Sequence, residues 1–181
     1  ADHGDMLGQH GLWAKRLYYE NSANVPMLLM GTKACQRTGQ NRADHRLVGW
    51  QDVMPTLLDL ADIEIPESVV GQSMLSESRR DYLYAECNEG NTATRMIHDG
   101  RFKLIYYPAG NRAQLFDLET DPQELVDLSS SRDHQHKLEH LIGKLIGELY
   151  GSDTAWLDNG NLVGLPEPDY QPQVNRGLSL Q

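Results

Sequence analysis

The first twenty residues, ADHGDMLGQHGLWAKRLYYE, gather Asp2, His3, Asp5, His10, Lys15, Arg16 and Glu20 around Gly4, Gly8 and Gly11. Asp2 and His3 set a hard carboxylate oxygen beside an imidazole nitrogen, and Gly4 lets the backbone bend closely around an ion. Lys15 carries a mobile point charge suited to an anionic oxygen. His10 offers a group that can hand a proton to a leaving group near neutral pH. Together these residue types suit a divalent metal and a bound oxyanion. The plainer alternative is a solvated polar loop, in which His10 only fixes the turn through hydrogen bonds. Asp5 reads as a loop-stabilising carboxylate. Trp13, Tyr18 and Tyr19 read as packing, and Glu20 as a partner for local backbone or Arg16.

The rest of the chain must position this stretch. Residues 25–30, VPMLLM, form a short continuous apolar run that suits a buried strand. Residues 31–45 are polar, with glycines and basic residues, and read as a loop. Residues 47–61 carry helical apolar spacing through Val53, Met54, Leu57, Leu58 and Leu60, with Asp52 as N-cap and Pro55 in the first turn. Asp59 and Asp62 are expected to face solvent, and residues 63–74 to form an irregular connector.

From Asp81 the character changes. Residues 82–86, 94–98, 102–107 and 114–118 are rich in β-branched and aromatic side chains, and Asp99-Gly100 is a hairpin signal. Four strands with short connections predict an antiparallel sheet with one face wet and the other under a helix. Leu138, Leu141, Ile142, Leu145, Ile146 and Leu149 form the apolar stripe of that helix, which Gly151 can end. His134, His136 and His140 stand at roughly helical spacing. A metal patch there competes with the simpler reading of exposed histidines at a helix start. Residues 152–181, with Pro166, Pro168 and Pro172, read as an extended arm anchored by Trp156, Leu157, Leu162, Val163 and Leu165. The expected fold class is α+β, divided into residues 1–75, a small sheet-and-helix unit at 76–151 and the arm at 152–181.

Composition narrows the partners. Twenty-six acidic residues against sixteen basic give a formal net charge of −10 over 181 residues. That disfavours nucleic acid or an anionic membrane as a general partner. No apolar run is long enough for a transmembrane helix. Cys35 and Cys87 have neither zinc spacing nor a disulfide framework, and read as two reduced structural thiols. Periplasmic, secreted and cytoplasmic locations all stay open, as does oligomer formation.

The stretch DHGDMLGQHGLWAKRLYYENSANVP resembles the second metal-site block of the sulfatase family, in the alkaline-phosphatase-like superfamily. The family pattern is D-H/N-G, then LGEHGLWxK, then YE and RVP. The likeness continues through DVMPTLLDLADIEIPESVVGQSM, GRFKLIYY, QLFDLETDPQELVDL and WLDNGNLVG. Gln9 stands where the family has Glu, and Asn24 where it has Arg. The resemblance implies that Asp2 and His3 are metal ligands and that Lys15 contacts the sulfate. It favours Ca²⁺, with Mn²⁺ or Mg²⁺ as alternatives. It implies that residues 1–75 are a piece of the large α/β catalytic domain, with residues 25–30 in its main sheet. Neither cysteine, nor any serine, lies in the [CS]-x-[PA]-x-R setting that yields a sulfatase's formylglycine nucleophile. The chain therefore reads as the C-terminal portion of a larger hydrolase of sulfate esters, on small molecules or glycans. Alone it is expected to be inactive, with residues 1–20 poorly ordered or rearranged for want of a supporting sheet. A phosphodiesterase or phosphonate monoester hydrolase of the same superfamily is the near alternative. A non-catalytic interaction module is the distant one.

Overall fold

The computed structural model describes residues 1–169 of the chain. In chain order it holds β1 (Met6–Leu7), β2 (Trp13–Ala14), α1 (Glu20–Ala23), α2 (Thr32–Thr38), α3 (Val53–Leu60), β3 (Leu83–Cys87), β4 (Thr94–His98), β5 (Phe102–Tyr107), β6 (Arg112–Asp117), α4 (Gln135–Glu148), β7 (Leu157–Asp158) and β8 (Asn161–Leu162). The fold is mixed α and β, centred on an antiparallel meander in the order β3-β4-β5-β6.

Side chains alternate across a strand, so β5 shows why both faces of this sheet are buried. Leu104 lies opposite Ile97 and Leu115. These three, with Tyr106, pack under Leu138, Leu141 and Leu145 of α4 and against Trp156. Ile105 and Phe116 point the other way and pack with Met6 and Tyr19 of the N-terminal segment. The expectation of one wet face is therefore corrected. Residues 1–20, expected to be unsupported, form the second cover of the sheet.

Lys103 also sits on that second face, only 1% exposed. Its ammonium lies 2.5 Å from Glu20 Oε1 and 2.6 Å from Glu124 Oε1. Glu124 Oε2 also accepts the Glu20 backbone N–H at 2.6 Å. Glu124 reaches inward from a left-handed backbone, φ 57°, held by its N–H to the Asp121 carbonyl. Burial pushes the Glu20 carboxyl up, but the charge and hydrogen bond of Lys103 override it and hold it below the ordinary range. Glu20 thus does not serve Arg16 or only its local backbone, as the sequence suggested.

The α3 region departs from expectation in its capping. Asp52 makes no cap bond to α3. It is buried, accepts the backbone N–H groups of Gly49 and Gln72, and receives Arg80 Nη2 at 2.5 Å. Asp59, expected in solvent, binds Arg37 with both oxygens and accepts from the Ser73 hydroxyl. Asp62 meets Lys33. The two basic partners belong to α2, a helix where a loop was expected.

Residues 25–30 form no strand, and Leu28 and Met30 are 80% and 85% exposed. A strand is completed by hydrogen bonds from a neighbour, and this segment has no neighbouring strand among the described residues. At the other end, α4 closes at an extended Leu149, before Gly151. Trp156 is buried, and the β7–β8 hairpin leads to a bridge between Ala109 and Leu165. Val163 stays half exposed, and Pro172 lies outside the described residues.

Leu141 is fully buried between α4 and the sheet. Leu141→Ala should cost about 2–5 kcal/mol, read as a lower urea midpoint at unchanged slope. A hydrogen bond from Arg101 outweighs burial and holds Asp117 at about 2, against 3.8 unperturbed. The depressed value means the pair stabilises fully above pH 3.8 and is lost between there and about 2. Melting temperature followed over that range should fall for the native chain and fall less for Asp117→Asn.

Candidate active site

Three of the residues singled out in the sequence come together. The His3 ring presents Nδ1 to the Gly4 carbonyl at 2.8 Å. A carbonyl only accepts, so the proton sits on Nδ1 and Nε2 keeps its lone pair. That lone pair meets Lys15 Nζ at 2.8 Å, and Asp2 Oδ2 lies 3.4 Å from the same nitrogen. A hydrogen bond from its own backbone N–H is the largest of the causes that hold the Asp2 carboxyl below its usual range. His10 does not join this group among the described residues. Its ring stacks on Tyr19, with centroids 4.3 Å apart and planes 16° from parallel.

The backbone around the cluster is bent on purpose-fitting residues at some positions and against preference at others. A Cβ on Gly4 would fall 2.0 Å from the Asn21 carbonyl oxygen. Only glycine lets the Asp2–His3 turn lie this close to α1, where the Gly4 N–H reaches the Ser22 carbonyl at 2.9 Å. Lys15 lies between Ala14 at φ 71° and Arg16 at φ 77°. Left-handed conformations at non-glycine residues cost on the order of 1 kcal/mol or more, and such strain gathers at functional sites. The β1–β2 pair supplies the fixed arm, with Met6 opposite Ala14. Trp50 closes the rim by donating from Nε1 to the Asp2 carbonyl at 3.1 Å.

The donor set fits a metal in kind. Two ligands each about 2.4 Å from a cation and at right angles stand about 3.4 Å apart, the separation seen between Asp2 Oδ2 and His3 Nε2. A ligating histidine commonly gives its other N–H to a carbonyl, as His3 does to Gly4. The pair is not a full ligand set. Among the described residues no group of three or more His, Cys, Asp or Glu side chains is placed to hold a metal. His134 instead meets the Ser131 hydroxyl at 2.9 Å, and Cys35 and Cys87 are free and half-buried.

The residues that reasoning from the sequence missed are Lys103 and Glu124. Their signal was legible: FKLIYY is apolar on both alternating faces except at Lys103, so a buried lysine needs a carboxylate partner.

Residues 8–149 match the family model for the C-terminal part of N-sulphoglucosamine sulphohydrolase. The match takes in His10 and Lys15, and Asp2 and His3 lie just before it. An arylsulfatase of Clostridium perfringens is 34% identical over 169 residues, covering 90% of this chain and 35% of the relative. A solved structure of a 2-O GAG sulfatase superposes with a TM-score of 0.72 at 26% identity, over 80% of this chain and 34% of that one. The phosphonate monoester hydrolase of Agrobacterium radiobacter shares the fold, with a TM-score of 0.68 at 23% identity over 80% of this chain and 33% of that one. The chain thus spans about a third of the length of the proteins it matches.

Gly4→Ala should cost about 1–3 kcal/mol, because the new methyl group must push the Asp2–His3 turn off α1. A thermal melt of the variant that overlays the native curve would contradict the close approach.

Proposed function

We propose a function on one premise: this chain belongs to the sulfatase family. It supplies two metal ligands and the anion-contacting lysine to a hydrolase of sulfate esters. The observation that carries this reading is the convergence of Asp2, Lys15 and the bare Nε2 of His3 on one point.

Asp2 and His3 would hold the divalent metal, with Ca²⁺ favoured by the resemblance and Mn²⁺ or Mg²⁺ as alternatives. The cation supplies charge stabilisation at the oxygens of the ester group. Lys15 presents its ammonium to the same oxygens, where negative charge develops in the transition state. It is exposed and flexible enough to leave His3 for this task. Remaining ligands and the formylglycine nucleophile come from polypeptide beyond these 181 residues, so this chain alone turns over nothing. The substrate is the sulfate ester of a small molecule or a glycan. The shared fold of the phosphonate monoester hydrolase keeps that activity as the second reading.

The test is made on the intact parent, with aryl sulfate and aryl phosphonate monoester offered side by side. Sulfate turnover should dominate and should vanish on chelation. Lys15→Ala should lower kcat by roughly 10²–10³-fold. A parent that cleaves only the phosphonate ester favours the second reading. Unchanged kcat in Lys15→Ala removes the lysine from the site.

A further inference from the structure

We propose that Lys103, with Glu20 and Glu124, positions the Asp2–His3–Lys15 cluster from the sheet, as a set of positioning residues that never touch substrate. The proposal rests on the site reading above, and it assigns that site's register to a strand in the middle of the chain.

The connection is a run of polar contacts joined by short stretches of backbone. Lys103 Nζ holds Glu20 Oε1 at 2.5 Å. Glu20 opens α1, and its own N–H is held by Glu124 Oε2 at 2.6 Å. Two residues on, the Ser22 carbonyl accepts the Gly4 N–H at 2.9 Å. The Gly4 carbonyl then orients the His3 ring at 2.8 Å, and His3 Nε2 meets Lys15 Nζ at 2.8 Å. Each contact orients the next, from a buried ammonium on β5 to the His3 ring, whose Nε2 faces the exposed Lys15.

Adhesion alone does not need this device. Met6 and Tyr19 already pack on Ile105 and Phe116, and apolar contact is non-directional. An apolar residue at position 103 would extend that contact without the cost of burying an ion. A cation between two carboxylates adds direction, because the salt bridge holds at one register of the segment over the sheet and breaks at others. Glu124 keeps a left-handed backbone to complete it. Three distant parts of the chain thus meet at one nitrogen.

The experiment uses the parent enzyme, well below each variant's melting temperature. It reads kcat and KM for an aryl sulfate, and hydrogen exchange of peptides covering residues 1–18 and 94–107. Glu20→Gln keeps the shape and removes the charge. It should lower kcat about tenfold or more with KM within about twofold, since small misplacements of reacting groups cost rate. Exchange over residues 1–18 should rise about tenfold while 94–107 stays protected. The reversed pair, Glu20→Lys with Lys103→Glu, keeps one cation among two carboxylates and should recover part of both losses. Should Glu20→Gln fail to fold, Glu124→Gln is read in the same way. Native kcat and native exchange in the variant overturn the proposal. So does exchange that rises equally in both regions, which marks general loss of stability, and so does a reversed pair that recovers nothing. Lys15→Ala run alongside separates the two ideas. If it alone leaves turnover intact, the site reading fails, and exchange over residues 1–18 still decides the positioning.

Discussion

A lysine cannot sit inside an apolar layer without an anion beside it, and the architecture follows from how this chain meets that demand at Lys103. An unpaired buried ammonium would cost several kcal/mol. The β5 strand nonetheless places one two residues before Ile105 and directly opposite Phe116. The counter-charges come from α1 and from the loop after β6, and not from the sheet itself. The pairing therefore fixes the register of the N-terminal segment over the sheet and ties the 121–128 loop to α1. The loop is pinned to β6 in turn, through Asp127 Oδ1 to the Leu115 N–H and the Leu128 N–H to the Leu115 carbonyl.

The same economy governs the other deep cations. Arg95 on the α4 side is satisfied by Asp153 and by three backbone carbonyls, and its guanidinium lies 5.0 Å over the Trp156 ring. Arg80 closes on Asp52 beneath α3. In a chain with net charge −10, these positive groups are already spent on internal partners. Lys15 differs, because the hydrogen bond of its ammonium goes to the His3 ring rather than to a carboxylate. Its charge stays available for an anion, which matches its place at the candidate site.

Much of the sheet unit was legible in the sequence, and the reason is periodicity. Two strands, β4 and β5, lie where alternation and aromatic content put them, and α4 follows its leucine stripe. The proximity of Asp2, His3 and Lys15 in the candidate site was likewise legible, because the three share one segment. What stayed hidden depended on partners distant in sequence. The second buried face of the sheet includes Glu20 on Lys103, a contact across 83 residues, and the buried role of Asp52 rests on contacts across 20 and 28 residues. No local pattern reports which acid will meet which base. Residues 25–30 misled for the opposite reason. Their composition suits a strand, but composition cannot supply the neighbour that a strand requires.

The two-sided sheet also bears on inheritance. A sheet with a single covered face can be copied, fused and shuffled as an independent cassette. This one cannot be cut at residue 83 and carried elsewhere, because Ile105, Phe116 and the Lys103 ammonium would be bared on the cut side. Recombination that moved the meander without its leading segment would open that layer to water. The segment with the candidate site and the meander thus have to travel together, since each covers what the other would expose.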